Sequence, residues 1–244
     1  MKRRGLFTTC RIQEVRPENA FTRTLVLDAP LADSIPGQFV MAWLPNIGEK
    51  PFSINGNAPL SLTIADVGPV SHALCQLTPG DRLWVRGPLG RGFTLTSQSS
   101  LLVGGGYGAA PLSLLARQLR LLEAPVAVAL GAKTRDALMM VPLFESLGCH
   151  VVLATEDGSV GIQGWVTAAV KQACSTLNPQ VLYACGPTEM LMAISAFASQ
   201  RGLRAQLSFE ALIRCGVGLC GSCELPEAIC KKLGIPAGFL VCQD

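Results

Sequence analysis

The stretch Leu101–Leu119, LLVGGGYGAAPLSLLARQL, decides how this chain folds. It begins as an apolar strand, turns on Gly104, Gly105, Gly106 and Gly108, and continues with the periodicity of a helix. Glycines let the backbone approach a ligand closely, and the free N–H groups of a helix start can hold an anion. A tight strand-to-helix turn needs the same small residues, and the run is not a clean G-x-G-x-x-G, so both readings stand. A second turn of this kind closes Leu182–Leu191, LYACGPTEML. There Cys185, Gly186 and Pro187 end an apolar run, and Thr188 is placed to cap the following helix.

Between these turns, SLLVGGG, PVAVALGA, HVVLATEDG and QVLYACGP are near-continuous apolar runs, separated by helical stretches such as APLSLLARQLRLLE and TEMLMAISAFASQRG. That alternation predicts βαβ units and a parallel sheet covered on both faces. Both glycine turns then fall at carboxyl ends of parallel strands, where open α/β sheets bind ligands. Upstream the pattern differs. TRTLVLDAP, GQFVMAWLP, PFSINGN, LSLTIADVG and DRLWVRGPLG are short strands bounded by Gly, Pro, Asn or Asp, which predicts a small antiparallel barrel. GPLG, residues 87–90, is expected to turn between the two domains. From Gln206 the chain loses periodicity and becomes rich in Gly and Cys. The expected organisation is therefore a barrel over residues 1–97, an α/β domain over 98–205 and a small segment over 206–244.

Composition excludes several classes. The 244 residues carry 20 basic against 17 acidic side chains, with MKRR and CKK as the only short basic clusters. No basic stripe exists, so nucleic acid is not an expected partner. The longest apolar region, Leu101–Ala116, is broken by glycines and stopped by Arg117, short of the ~18 residues of a membrane span. The N-terminal MKRRGLFTTCRIQEV has no apolar core or cleavage site of a secretory leader, so a cytoplasmic protein is expected. In a reducing compartment, thiols that cluster hold metal more often than they form disulfides. Five of the ten cysteines lie between Cys215 and Cys242, and three have the spacing C-x4-C-x2-C at Cys215, Cys220 and Cys223.

In the barrel region, Lys50, Pro51, Phe52 and Ser53 share one strand, with Lys50 and Phe52 on one face and Pro51 and Ser53 on the other. A cation, a ring and a hydroxyl so grouped suit a phosphate and an aromatic cofactor, as they also suit a plain strand with a solvated Lys and a core Phe. Gly68 and Ser71 precede an apolar helical turn, a second candidate anion site. His72 and His150 sit in apolar contexts and are read as structural or surface groups. No Ser-His-Asp set or paired carboxylates stand out, so no catalytic side chain is assigned.

The ordered series KPFSI, GPLGRGF, VGGGYGAAPL, ACGPTEML and CGVGLCGSC resembles the electron-transfer subunits of class B dihydroorotate dehydrogenases, members of the ferredoxin-NADP reductase superfamily. The resemblance runs through essentially the whole chain. It implies FAD on the barrel, NAD(H) on the α/β domain, a [2Fe-2S] cluster on the C-terminal segment and an FMN-containing catalytic subunit as partner. That partner would oxidise dihydroorotate to orotate in pyrimidine biosynthesis, with the two subunits in a heterotetramer. By the resemblance, Lys50, Pro51, Phe52 and Ser53 are the flavin motif, with Lys where the family more often has Arg. Gly68, Val70 and Ser71 are its phosphate-binding turn. Gly105, Gly106, Tyr107 and Gly108 face the nicotinamide nucleotide, and Cys185, Gly186 and Pro187 lie near the nicotinamide and flavin rings. Cys215, Cys220 and Cys223 have the plant-type ferredoxin spacing. Cys242, in the terminal FLVCQD, is chosen as the fourth ligand over Cys230. Gly216, Gly218 and Gly221 would let the loop aim N–H groups at the sulfurs. Two other readings remain open at this level: a reductase subunit serving a hydrogenase, sulfide dehydrogenase or transhydrogenase, and a zinc-stabilised interaction module. Lys133 and Arg135 follow the second parallel strand and are read as loop charges rather than a 2′-phosphate site, and the resemblance favours NADH.

Overall fold

The computed structural model describes residues 6–244, and the basic cluster MKRR lies outside them. The chain divides into two compact units, one formed by the chain up to Gly92 together with Ala211–Asp244, the other by Phe93–Glu210. The expected boundary at 97/98 therefore shifts a few residues, and the one at 205/206 falls inside a strand. The cysteine segment packs with the barrel instead of standing apart.

In the first unit, β1 (Thr8–Asn19), β2 (Thr22–Leu27), β3 (Phe39–Leu44), β4 (Gly48–Asn57), β5 (Leu60–Ala65) and β6 (Arg82–Leu89) close an antiparallel barrel in the order β1-β2-β5-β4-β3-β6. A short helix, α1 (Pro69–Cys75), follows β5. Strand β1 is absent from the sequence reading because it carries Arg11, Glu14, Arg16 and Glu18 and buries only Cys10 and Ile12 deeply. The GPLG segment does not turn between units; β6 runs through Leu89. Alternation along β3 turns Phe39 and Met41 to the face opposite Val40 and Ala42. Phe39 and Met41 then join Leu89, Cys223 and Cys242 in a small core of their own. The C-terminal segment adds one helix, α6 (Glu227–Leu233), and a single bridge between Glu224 and Leu240.

In the second unit, β7 (Ser100–Gly105), β8 (Val126–Ala132), β9 (His150–Thr155), β10 (Ile162–Gln163), β11 (Val181–Cys185) and β12 (Arg204–Ser208) form a parallel sheet in the order β10-β9-β8-β7-β11-β12. Helices α2 (Ala109–Leu121) and α3 (Val141–Ser146) lie on one face; α4 (Val166–Leu177) and α5 (Thr188–Gln200) lie on the other. Leu102, Val128 and Tyr183 enter the first core while Leu101, Val103, Ala127 and Leu182 enter the second. Burial on both faces is why these strands read as unbroken apolar runs. The edge strand β12 is half exposed and begins with Arg204, so it lacks that signature. No helix among the described residues is long and apolar enough to cross a membrane.

The two ends of this unit are tied together by one polar knot. The buried Tyr183 hydroxyl donates to the Thr94 carbonyl at 2.8 Å, and the Gln206 amide donates to the same oxygen at 3.0 Å. Gln206 Oε1 in turn accepts from the Thr94 N–H at 2.8 Å. Because Gln206 continues to satisfy the carbonyl, Tyr183→Phe is expected to cost only about 0.5–1.5 kcal/mol in urea unfolding of this unit.

Candidate functional site

Three groups of predicted residues can be placed. In the α/β unit, β7 and β11 are neighbours, with Cys185 in register with Gly104. The strand order reverses here, because β8 lies on one side of β7 and β11 on the other. Both glycine turns therefore stand side by side at the switch point of the sheet, where such folds open a crevice. The glycines divide the work. A Cβ on Gly108 would overlap the Cys185 carbonyl, and one on Gly105 or Gly186 would run into Met190. These three let the turns pack on each other. Gly106 is different: its φ of +55° is left-handed, and nothing lies within 4 Å of where its Cβ would be. It leaves open space over the turn, next to the half-exposed ring of Tyr107.

Cys185 closes β11 with its side chain buried in the core beneath α2. Burial pushes its thiol up to about 12, although a hydrogen bond from Ser208 opposes the shift. The field of the Glu210 carboxylate raises both this thiol and, as the main cause, the Tyr107 hydroxyl. Ser208 and Glu210 thus belong to the same cluster, and the sequence reading missed them because they lie past its expected domain end. Pro187 stands at the N-cap of α5, which has no side-chain cap, so Thr188 is the first helical residue rather than the cap. Lys133 and Arg135 are exposed, and the Arg135 guanidinium donates to the Ser159 carbonyl at 3.1 Å.

In the barrel, Lys50 to Ser53 lie on β4 against Ala42 to Phe39 of β3. Lys50 is exposed, while Pro51, Phe52 and Ser53 are half-buried. Gly68 stands at the N-cap of α1, and a Cβ there would meet open space. Val70 packs under the left-handed Gly48 at the start of β4, which joins the two groups. The Ser71 hydroxyl is engaged locally, accepting from the Val67 N–H at 3.1 Å and donating to the Gly68 carbonyl at 3.0 Å. His72 is exposed and pairs with Asp66 at 2.8 Å, a surface role as expected.

The cysteines form the third group. Cys223 and Cys242 are buried in one small core, and Cys220 is close enough to Cys215 to shift its thiol. The field of Cys215 also reaches Cys242. The loop between them turns its N–H groups inward. Val217 and Leu219 donate to Cys215 Sγ at 3.5 and 3.4 Å, and Gly218 donates to Cys242 Sγ at 3.3 Å. Such a concave run of N–H groups is an anion-binding nest of the kind found at iron–sulfur sites. The Val217 N–H is the main cause that lowers the Cys215 thiol, and the Ser222 hydroxyl and N–H bring Cys220 down to about 6. Burial pushes Cys242 up to about 11. Cys230 stands apart on α6, buried, with its thiol turned to the Leu225 carbonyl at 3.7 Å. No three His, Cys, Asp or Glu side chains among the described residues gather on one point as a single metal ion needs.

Gly216 shows why the loop sits where it does. Its backbone is left-handed at φ +71°, and a Cβ would press on Leu89 at 3.0 Å and on Phe39 at 3.4 Å. The cysteine loop therefore lies directly on the outer apolar face of β3 and β6.

No protein-family model matches the chain. Among solved structures, the NADH-dependent reduced ferredoxin-NADP oxidoreductase of flavin-based electron bifurcation superposes with a TM-score of 0.80 at 27% identity, over 90% of this chain and 83% of that one. The Amycolatopsis cytochrome P450 reductase GcoB superposes with a TM-score of 0.70 at 24% identity, over 83% and 69%, and supports the fold alone. A closed antiparallel barrel combined with a parallel sheet whose glycine turns meet at the switch point thus defines a ferredoxin-reductase-like oxidoreductase. Among curated proteins, a relative from Thermococcus kodakarensis is 36% identical over 86% of this chain and 82% of its own length. One from Methanocaldococcus jannaschii is 32% identical over 96% and 86%. Both are described as "Probable dihydroorotate dehydrogenase B (NAD(+)), electron transfer subunit". The chain belongs to this family of dihydroorotate dehydrogenase B electron transfer subunits.

The different roles of the turn glycines are open to test. Gly108→Ala forces the two turns apart and is expected to destabilise the α/β unit by about 1–3 kcal/mol, as overpacking does. Gly106→Ala meets only its backbone strain, about 1–2 kcal/mol, and leaves the packing between the turns intact. Urea unfolding of the two variants, followed by a probe in this unit, separates them.

Proposed function

We propose that this chain passes electrons between an FMN-containing dihydroorotate dehydrogenase subunit and NAD(H), through a [2Fe-2S] cluster and FAD, in the cytoplasm, with NAD(+) the acceptor of the electron pair that dihydroorotate oxidation releases. The observation that carries the reading is the loop whose Val217, Gly218 and Leu219 N–H groups point at Cys215 Sγ and Cys242 Sγ, with Cys223 buried in the same small core as Cys242. Cys215, Cys220, Cys223 and Cys242 would supply four thiolates to such a cluster, with the C-x4-C-x2-C spacing and distant fourth cysteine of plant-type ferredoxins. The presence of ten free thiols, all unpaired as disulfides, agrees with a reducing compartment.

When bound, FAD would exchange electrons in pairs with a nicotinamide and singly with the cluster. The chain itself binds and orients. Lys50 offers a single positive charge to a flavin pyrophosphate, without the two-pronged grip of an arginine. Pro51, Phe52 and Ser53 supply the half-exposed strand surface for the ring system. Gly68, Val70 and Ser71 shape the phosphate turn, with the Ser71 hydroxyl holding the turn and the backbone facing the ligand. Gly105, Gly106, Tyr107 and Gly108 form one wall of the nicotinamide nucleotide site, and Gly106 supplies its open floor. Cys185, Gly186 and Pro187 form the other wall. The thiol of Cys185, buried and held protonated, acts as a small packing group there and not as a nucleophile. The curated relatives, described as "Probable dihydroorotate dehydrogenase B (NAD(+)), electron transfer subunit", support NADH over a coenzyme carrying a 2′-phosphate. Val217, Gly218 and Leu219 stabilise negative charge on the thiolate sulfurs. Dihydroorotate itself is bound by the partner, with which the chain forms a heterotetramer.

Iron, sulfide and zinc analysis of the purified chain tests this reading together with Cys242→Ser and Cys230→Ser. The wild type and Cys230→Ser are expected to hold about two irons per chain and Cys242→Ser to lose most of them. An iron-free protein holding one zinc would contradict the proposal.

A further inference from the structure

Beyond the residues that would touch a cofactor, the barrel carries one braced side chain that reaches the cysteine loop. Arg86 on β6 lies opposite Met41 of β3, and Glu49 on β4 lies opposite Trp43 of the same central strand. Arg86 Nε donates to Glu49 Oε1 at 2.6 Å, so the pair spans β3 from one neighbour strand to the other. The other arm of the guanidinium, Nη2, donates to the backbone carbonyl of Cys215 at 2.9 Å. Its plane also sits over the ring of Phe7, 5.7 Å from the centroid, and Phe7 packs on Trp43, which packs on Trp84. Arg86 is thus fixed from two sides, by Glu49 and Phe7, before it reaches the loop. Its side chain is only 12% exposed, which strengthens both hydrogen bonds over those of a surface pair.

The contact with Cys215 matters because of what lies on the other side of that residue. The three N–H groups that point at sulfur belong to Val217, Gly218 and Leu219, two to four residues after the held carbonyl. Glu49, for its part, immediately precedes Lys50 of the flavin motif. We propose that Arg86, braced by Glu49, is a positioning residue for the iron–sulfur cluster: it fixes the Cys215 carbonyl so that the loop N–H groups stay aimed at the ligand sulfurs. The same brace ties the geometry of the cluster loop to the strand that carries the flavin motif. Only a forked donor makes both bonds at once, since a lysine is a point charge on a flexible stem.

The inference rests on the cluster reading given above, and one experiment separates their failures. The full chain, purified with its cofactors, is compared with Arg86→Gln, Arg86→Lys and Glu49→Gln. Iron release to a chelator, the electron paramagnetic resonance spectrum of the dithionite-reduced protein and FAD content are measured on each. Arg86→Gln is expected to release iron about 10- to 100-fold faster, as loss of an outer-shell partner does, with altered g-values and unchanged FAD content. Arg86→Lys and Glu49→Gln are expected to shift the same readouts in the same direction by less. Wild-type release rates and spectra in Arg86→Gln would overturn the proposal while leaving the cluster in place. Parallel loss of FAD and iron would assign Arg86 to barrel stability and overturn it too. An iron-free wild type would instead overturn the cluster reading, and this inference with it.

Discussion

The structure depends on one apolar face outside the barrel. Phe39, Met41 and Leu89 point away from the barrel interior and would be exposed there without the C-terminal segment. The segment covers them, and the close approach demands glycine at Gly216 and Gly90, both left-handed and both in contact range of the Phe39 ring. Burying these side chains contributes on the order of 1.5–3 kcal/mol each. The same contact puts the deeply buried Cys223 and Cys242, 2% and 1% exposed, at the bottom of the site and leaves Cys215 and Cys220 toward its rim. A redox group held there shares one compact unit with the flavin motif, not a separate domain.

A second constraint acts in the α/β unit. Placing β11 beside β7 brings two sharp turns to one spot, and their backbones touch. Gly108 against Cys185 and Gly105 against Gly186 are the contacts that permit it. The glycine pattern that reads as a ligand signature is thus largely a packing requirement, with Gly106 the position that faces open space. The packing reading holds at Gly105, Gly108 and Gly186.

Much of this was legible in the sequence because each signal has a local cause. Buried parallel strands are apolar throughout, turn residues bound the barrel strands, and cysteine spacing is a property of a short loop. What escaped lacks such causes. Strand β1 is largely solvated and charged, and β12 is a half-exposed edge, so neither shows burial in its composition. Arg86 and Glu49 read as strand charges, 37 residues apart, and only closure of the barrel across β3 makes them partners. The attachment of the tail to the barrel, not to the sheet it follows in the chain, is likewise a tertiary fact. Cys230 shows the same limit: spacing alone admits it as a ligand, whereas α6 turns its thiol to the Leu225 carbonyl.

The central claim is that one chain holds the carriers needed to convert a pair of electrons into single ones. An anaerobic titration of the purified protein with NADH, followed by visible absorption and electron paramagnetic resonance, tests it most directly. The account predicts that NADH bleaches the flavin bands and that a reduced [2Fe-2S] signal grows in the same sample. A protein that shows neither flavin bands nor any iron–sulfur signal under NADH or dithionite would contradict it.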